Sequence, residues 1–187
     1  MLFDHKYMEK NNYENIGVLG GSFDPPHKGH LYISKQSLRV YKLKKVIWAI
    51  TKKNPHKKKP FFSFSTRKEM CKKIINRYKK IQLRHYEKKL KSRTSISLIK
   101  FLKKNKKYRV FFIVGSDNLI NFHKWKNYKK LLNMCDLVVF SRKGFDTKAK
   151  KSVIMKYLKI KNIKFLNKLK IDISSTQLRN KIINGSR

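Results

Sequence analysis

A chain of 187 residues, 40% hydrophobic and 12% aromatic, holds enough apolar side chains, spread along its whole length, to exclude a disordered basic tail and to build one core without staples. No stretch approaches the roughly 18 uninterrupted apolar residues of a membrane span, and the opening Met-Leu-Phe-Asp-His-Lys-Tyr lacks the apolar region of a secretory signal. The formal charge of +39 is lysine-dominated and scattered over every third of the chain, so a nucleic-acid partner is not expected despite the charge, whereas anionic small molecules are favoured.

Taken in chain order, residues 1–14 are polar and aperiodic, a flexible N-terminal extension to a domain spanning 15–187. Ile16 to Leu19 is a short buried strand ending in Gly20-Gly21. Leu31 to Tyr41 has helical spacing, and Val46 to Ile50 is a second strand. A proline-containing loop, 54–65, leads to a helix over Thr66 to Tyr78 with Met70, Ile74 and Ile75 on its apolar face. Ile81 to Leu83 is a third strand, and Thr94 to Lys104 a helix. Val110 to Val114 is the most apolar run, ending in Gly115-Ser-Asp117. A helix near Tyr128 to Met134 precedes the strand Leu137 to Phe140. Residues 148–159 are helical, Ile163 to Leu166 is a last strand, and Ser175 to Ile183 is a closing helix. Strands of near-continuous apolar character alternating with helices predict an α/β fold. The expected form is a single Rossmann-like, three-layer α/β/α domain with a mainly parallel sheet. Ligands of such sheets bind beyond the C-terminal strand ends, near the switch point of strand order. Cys71 and Cys135 fall in helical patterns and are expected buried, as free thiols of a cytoplasmic protein. His5, His85 and His123 have no motif around them and are expected at the surface.

The densest chemistry lies in Gly20-Gly-Ser22-Phe23-Asp-Pro-Pro-His27-Lys-Gly-His30, where the first strand hands over to the first helix. Neither a dinucleotide fingerprint nor a P-loop matches its spacing. Two glycines permit close backbone approach to a ligand, and two imidazoles at a helix N-terminus form a donor cluster suited to an anion. Metal ligation by His27 and His30 would need further ligands that no cluster supplies; an incidental polar turn is the other competing reading.

This string resembles the G-G-[ST]-F-D-P-x-H-x-G-H signature of the nucleotidyltransferase superfamily with the T/H-x-G-H motif, in its adenylyltransferase branch. A second segment, Ile173-Ser174-Ser175-Thr176-Gln-Leu-Arg179, resembles that family's I-S-S-T-x-x-R motif. Its physics agrees: Ser174 or Ser175 can cap the helix, whose dipole and Arg179 then face an anion. Gly115-Ser-Asp117 followed by Phe122 and Trp125 resembles the G-x-D-x-L…F…W segment of bacterial nicotinate-mononucleotide adenylyltransferases. Asn54-Pro-His56-Lys resembles their N-x-P-P-H-[KR] loop, one proline shorter. Ser92-Arg-Thr94 stands where they have S-Y-T, leaving Thr94 as the carry-over. Asp136 to Gly144, containing Arg142, resembles their D-L-x-V-x-x-R-x-G.

The resemblance covers about residues 16–183 and implies an enzyme that joins the AMP part of ATP to nicotinate mononucleotide, giving deamido-NAD and pyrophosphate. It implies catalytic roles for His27 and His30, and ATP contacts from these together with Gly20, Gly21, Ser22, Phe23, Ser174, Ser175, Thr176 and Arg179. Mononucleotide contacts are implied for Asn54, His56, Thr94, Gly115, Asp117, Trp125 and Arg142. Mg²⁺ would arrive on ATP, with no metal site of the protein's own. Trp125 as a core aromatic and Asp117 as a helix cap are the competing structural readings. Pantetheine-phosphate adenylyltransferase, and a non-catalytic basic RNA-binding protein on the same scaffold, are the alternative functions.

Overall fold

The computed structural model describes residues 13–54, 59–142, 144–157, 163–166 and 174–185. Six strands form one sheet: β1 (Glu14–Gly21), β2 (Lys45–Ile50), β3 (Ile81–Arg84), β4 (Tyr108–Gly115), β5 (Asp136–Phe140) and β6 (Ile163–Leu166). Their order is β3-β2-β1-β4-β5-β6, and every neighbouring pair is parallel. That is the doubly wound order, and its direction reverses between β1 and β4. The expected α/β/α domain is therefore observed, with the sheet wholly parallel.

Period-two alternation sends side chains to both faces, and each face has its own core. On one face Ile16, Val18, Ile47, Val110, Phe112, Val114, Leu137 and Val139 pack under α4 (Ser95–Leu102), α5 (Ser116–Ile120) and α6 (Tyr128–Met134). On the other, Leu19, Val46, Trp48, Ile50, Phe111, Ile113, Val138 and Phe140 pack under α1 (Lys28–Val40) and α2 (Phe64–Ile75). Polar groups entering this core are paired: the Trp48 indole N–H donates to Ser34 Oγ at 2.8 Å.

Four sequence expectations need correction. Residue 14 belongs to the domain and not to an extension, because Glu14 pairs with Tyr108 as the first residue of β1 and makes an ion pair with Lys44; residues 1–12 lie outside the described residues. On α2 the fully buried stripe is Arg67, Cys71 and Ile75, spaced by four, with Met70 and Ile74 only half-buried. A short α3 (Glu87–Leu90) lies between β3 and α4, where the sequence pattern assigns no element. The helix expected over 148–159 is two short ones, α7 (Asp146–Lys150) and α8 (Val153–Tyr157), broken where Ser152 is buried. Nor is His85 at the surface: it is half-buried against Phe64 and pairs with Glu87, and His123 has a buried Nδ1. Cys71 and Cys135 are buried free thiols, as expected. His5 and His56 lie outside the described residues. The chain closes with α9 (Ser175–Gly185).

Candidate active site

A cavity of about 790 Å³ opens over the C-terminal ends of β1 and β4, at the reversal of strand order. Gly20, Gly21, Ser22, Phe23, Asp24, His27 and His30 line one end of it. A Cβ on Gly20 would meet nothing nearer than Phe112 at 3.9 Å, and one on Gly21 nothing nearer than Phe23 at 3.5 Å. Protein packing therefore does not demand glycine there, and what the two glycines leave open is the cavity itself. Phe23 takes the left-handed conformation, φ 49°, which bulky residues rarely adopt. Its ring is held by stacking on Trp48, with centroids 4.8 Å apart. The following Asp24–Pro25 peptide is cis.

His27 is the N-cap of α1. Its Nδ1 accepts the Gly29 N–H at 3.1 Å, while its own backbone N–H donates to His30 Nδ1 at 3.2 Å. Each ring thus uses Nδ1 as an acceptor, so the proton of the neutral imidazole sits on Nε2 in both. The rings lie 3.9 Å apart. Burial pushes His27 down to about 4, and the nearby Arg142 charge adds to this. At neutral pH His27 is therefore an uncharged hydrogen-bond donor, with cationic character supplied by its neighbours.

The second motif meets the first from 150 residues away in sequence. Ser174 and Gln177 form a reciprocal cap on α9: Ser174 Oγ accepts from the Gln177 N–H at 3.2 Å, and Gln177 Oε1 accepts from the Ser174 N–H at 2.7 Å. Ser175 Oγ donates to the Pro25 carbonyl at 2.9 Å. Arg179 donates through Nη1 to the Asp24 carbonyl at 2.6 Å and through Nη2 to Thr176 Oγ1 at 3.1 Å. Ser174, Ser175, Thr176 and Arg179 all line the cavity beside the histidines. Ser175 and Arg179 thus grip the first motif as well as facing the cavity.

Gly115, at the end of β4, also lines the cavity, with Asp117, Trp125 and Arg142 beyond it in sequence, as do Asn54 and Thr94. Arg142 Nη1 donates to Asp117 Oδ2 at 2.7 Å, so these two residues reach the cavity as a pair. The cap reading of Asp117 does not hold, since α5 starts from Gly115 without a side-chain cap. A Cβ on Gly115 would fall 2.4 Å from Asp117 Oδ1 and 3.2 Å from Arg142 Cδ, so only glycine lets the pair approach the strand end. The Arg142 backbone N–H is in turn held by Ser116 Oγ and Asp146 Oδ1, both at 3.0 Å. Trp125 is half-buried, stacked on Phe122 with centroids 4.7 Å apart, and borders the cavity. Thr94 caps α4 and accepts from the Ser97 N–H at 3.4 Å.

Three groups escaped the sequence reading. Asp24 is buried, its carboxylate accepting from the Phe61 and Phe62 N–H groups at 2.8 and 2.9 Å. Glu87 lines the cavity and accepts from the Lys52 N–H. Arg67, 1% exposed, lies behind the first motif. Among the described residues, the three carboxylates that line the cavity, Asp24, Glu87 and Asp117, are all engaged by protein donors.

The family described as cytidylyltransferase-like matches residues 18–181. A probable nicotinate-nucleotide adenylyltransferase of Pelagibacter ubique is 47% identical over 164 residues, covering 88% of this chain and 91% of that protein. Another, of Clostridium tetani, is 38% identical over 175 residues, covering 90% of this chain and 86% of that protein. In fold, the chain resembles Plasmodium falciparum nicotinic acid mononucleotide adenylyltransferase complexed with NaAD, at TM-score 0.72 and 23% identity over 90% of this chain and 83% of that one. Sequence, strand order and the two converging motifs agree, and the chain belongs to the cytidylyltransferase-like family, among the nicotinate-nucleotide adenylyltransferases.

Proposed function

We propose that the chain catalyses adenylyl transfer from ATP to nicotinate mononucleotide, giving deamido-NAD and pyrophosphate in NAD biosynthesis. The observation that carries this reading is the convergence of two anion-directed elements, His27/His30 and α9, on a cavity that is also lined by an aromatic face, Trp125, and by the Arg142–Asp117 pair.

The mononucleotide phosphate is already anionic at neutral pH, so attack on the α-phosphorus needs no protein nucleophile or base. The protein's work is alignment and stabilisation of charge. His27 and His30 donate from Nε2 to the α-phosphate as negative charge shifts in the transition state. Gly20, Gly21, Ser22 and Phe23 let the backbone approach the triphosphate, and Ser174, Ser175, Thr176 and Arg179 hold its outer phosphates. Trp125 offers a flat face to the pyridine ring. Arg142, Asp117, Gly115, Thr94, Asn54 and His56 bind the rest of the mononucleotide. Mg²⁺ would enter as MgATP, held by phosphate oxygens, in keeping with a cavity whose carboxylates, among the described residues, already have protein partners. Among the described residues no helix is long and apolar enough to cross a membrane, and cytoplasmic turnover of these soluble substrates follows from the reading.

Pyrophosphate release tests it. Release from MgATP should require the mononucleotide, yield deamido-NAD by mass, and ignore RNA. Release stimulated by RNA but not by a mononucleotide would overturn the reading in favour of a nucleic-acid function.

A further inference from the structure

Arg67 is buried to 1% exposure four residues into α2, and among the described residues no carboxylate lies within ion-pair distance of its guanidinium, although the Asp24 and Glu87 charges act on it. Its hydrogen-bond partners among the described residues are all backbone carbonyls. Nε donates to Phe62 O at 3.2 Å, Nη1 to Ser22 O and to Thr51 O at 2.9 Å, and Nη2 to Lys52 O at 2.9 Å. These carbonyls belong to three separate segments: the turn after β1, the exit of β2 and the turn before α2. Burying a cation is costly unless its donors are satisfied, and here the same bonds serve four carbonyls that an apolar side chain beside Cys71 and Ile75 would leave without this donor. What the guanidinium adds is a planar fork that fixes three loop ends in one frame.

That frame bears on the site. In a trans peptide the N–H points opposite to the C=O. Drawing the Ser22 carbonyl back toward α2 therefore turns the Phe23 N–H the other way, on the side where Ser22 and Phe23 line the cavity. The same logic is visible one grip away. Thr51 O is held by Arg67, and the N–H of that same peptide, Lys52, donates to Glu87, a cavity-lining residue. The Phe62 grip holds the turn whose amides at 61 and 62 donate to Asp24.

We propose that Arg67 is a positioning residue for adenylyl transfer, aligning the phosphate-binding turn from behind through four backbone carbonyls. The inference rests on the proposed reaction and deepens it. Arg67→Lys keeps the charge but cannot hold four carbonyls in a plane; Arg67→Met keeps the length and loses the donors. Both are compared with the wild type and with Ile75→Ala, which loosens the same helix without touching the turn. Measured on folded protein well below its melting temperature, kcat should fall about tenfold to 10²-fold in Arg67→Lys and more in Arg67→Met, the scale of misaligned reactants. The KM for the mononucleotide should stay near the wild-type value, and Ile75→Ala should keep its kcat. Equal kcat losses in Ile75→Ala and Arg67→Lys, an unchanged kcat in both Arg67 variants, or failure of both to fold would each make Arg67 merely structural and overturn the proposal. An inactive wild type in the same assay would instead strike at the proposed reaction.

Discussion

The two ends of the cavity are built differently. At the β1 end the polar groups are set by the main chain: the imidazoles of His27 and His30 accept from the Gly29 and His27 amides, Arg67 and Arg179 hold carbonyls, and Asp24 holds two amides. At the β4 end they are set by side chains, with Arg142 on Asp117 and Trp125 on Phe122. A main-chain frame suits the end where the reacting phosphorus must be aligned, because small displacements there are expensive in rate. A side-chain frame suits the end that recognises a substrate by its ring and its charges. The difference teaches where sensitivity should lie: substitutions at the first end should act on kcat or on ATP, and at the second on the mononucleotide KM.

The sharpest way to break this contrast is His30→Ala. It should lower kcat by about 10²-fold to 10³-fold, the scale of one preorganised donor lost, while the far-ultraviolet spectrum stays native. Near-normal turnover would remove the imidazole from the transfer step. Next in size is the pH dependence carried by His27. Its ring takes up a proton near 6.5 when unfolded but only near 4 when folded. Between these values the unfolded chain holds more protons, so this contribution leaves stability intact above 6.5 and erodes it as pH falls toward 4, by up to about 3 kcal/mol. Denaturation curves of the wild type and His27→Asn across that window measure it. The variant should lose less stability on acidification, and parallel curves would contradict the buried neutral ring.

Trp125→Ala probes the other end. Stacking predicts a loss of about 1–3 kcal/mol in mononucleotide binding with ATP affinity almost unmoved, and partial retention in Trp125→Phe. Because Trp125 is half-buried on Phe122, the melting temperature is recorded on the same sample. A large melting loss with both KM values unchanged would make it a core residue only. Smallest is Arg179→Ala, which should raise the ATP KM about tenfold by removing a charge-assisted contact. A rise in the mononucleotide KM instead would mean the two ends are assigned in reverse.

The sheet was legible because four of its strands, β1, β2, β4 and β5, carry apolar runs that no other element explains, and the turn after β1 because its chemistry is contiguous. The second motif was legible as a cap with a cation one turn on; that Ser175 and Arg179 also grip Pro25 and Asp24 was not, since nothing local signals a contact across 150 residues. The Arg142–Asp117 pair is likewise non-local, and its constituents were found only through family resemblance. Arg67 was missed for a different reason. A cation in a lysine-rich helix looks like solvated surface, and the only local signal was its spacing of four from Cys71 and Ile75, which placed it on the buried stripe. Short helices such as α3 and α5 carry too few turns to show a period.

The most direct measurement is turnover with MgATP and three acceptors side by side: nicotinate mononucleotide, nicotinamide mononucleotide and 4′-phosphopantetheine. A cavity that reads a pyridine ring at its β4 end and aligns phosphates at its β1 end predicts that a pyridine mononucleotide is adenylylated, nicotinate being the expected substrate, and that phosphopantetheine is not. Preferential adenylylation of phosphopantetheine would contradict the account, leaving Trp125 and the Arg142–Asp117 pair without the role assigned to them.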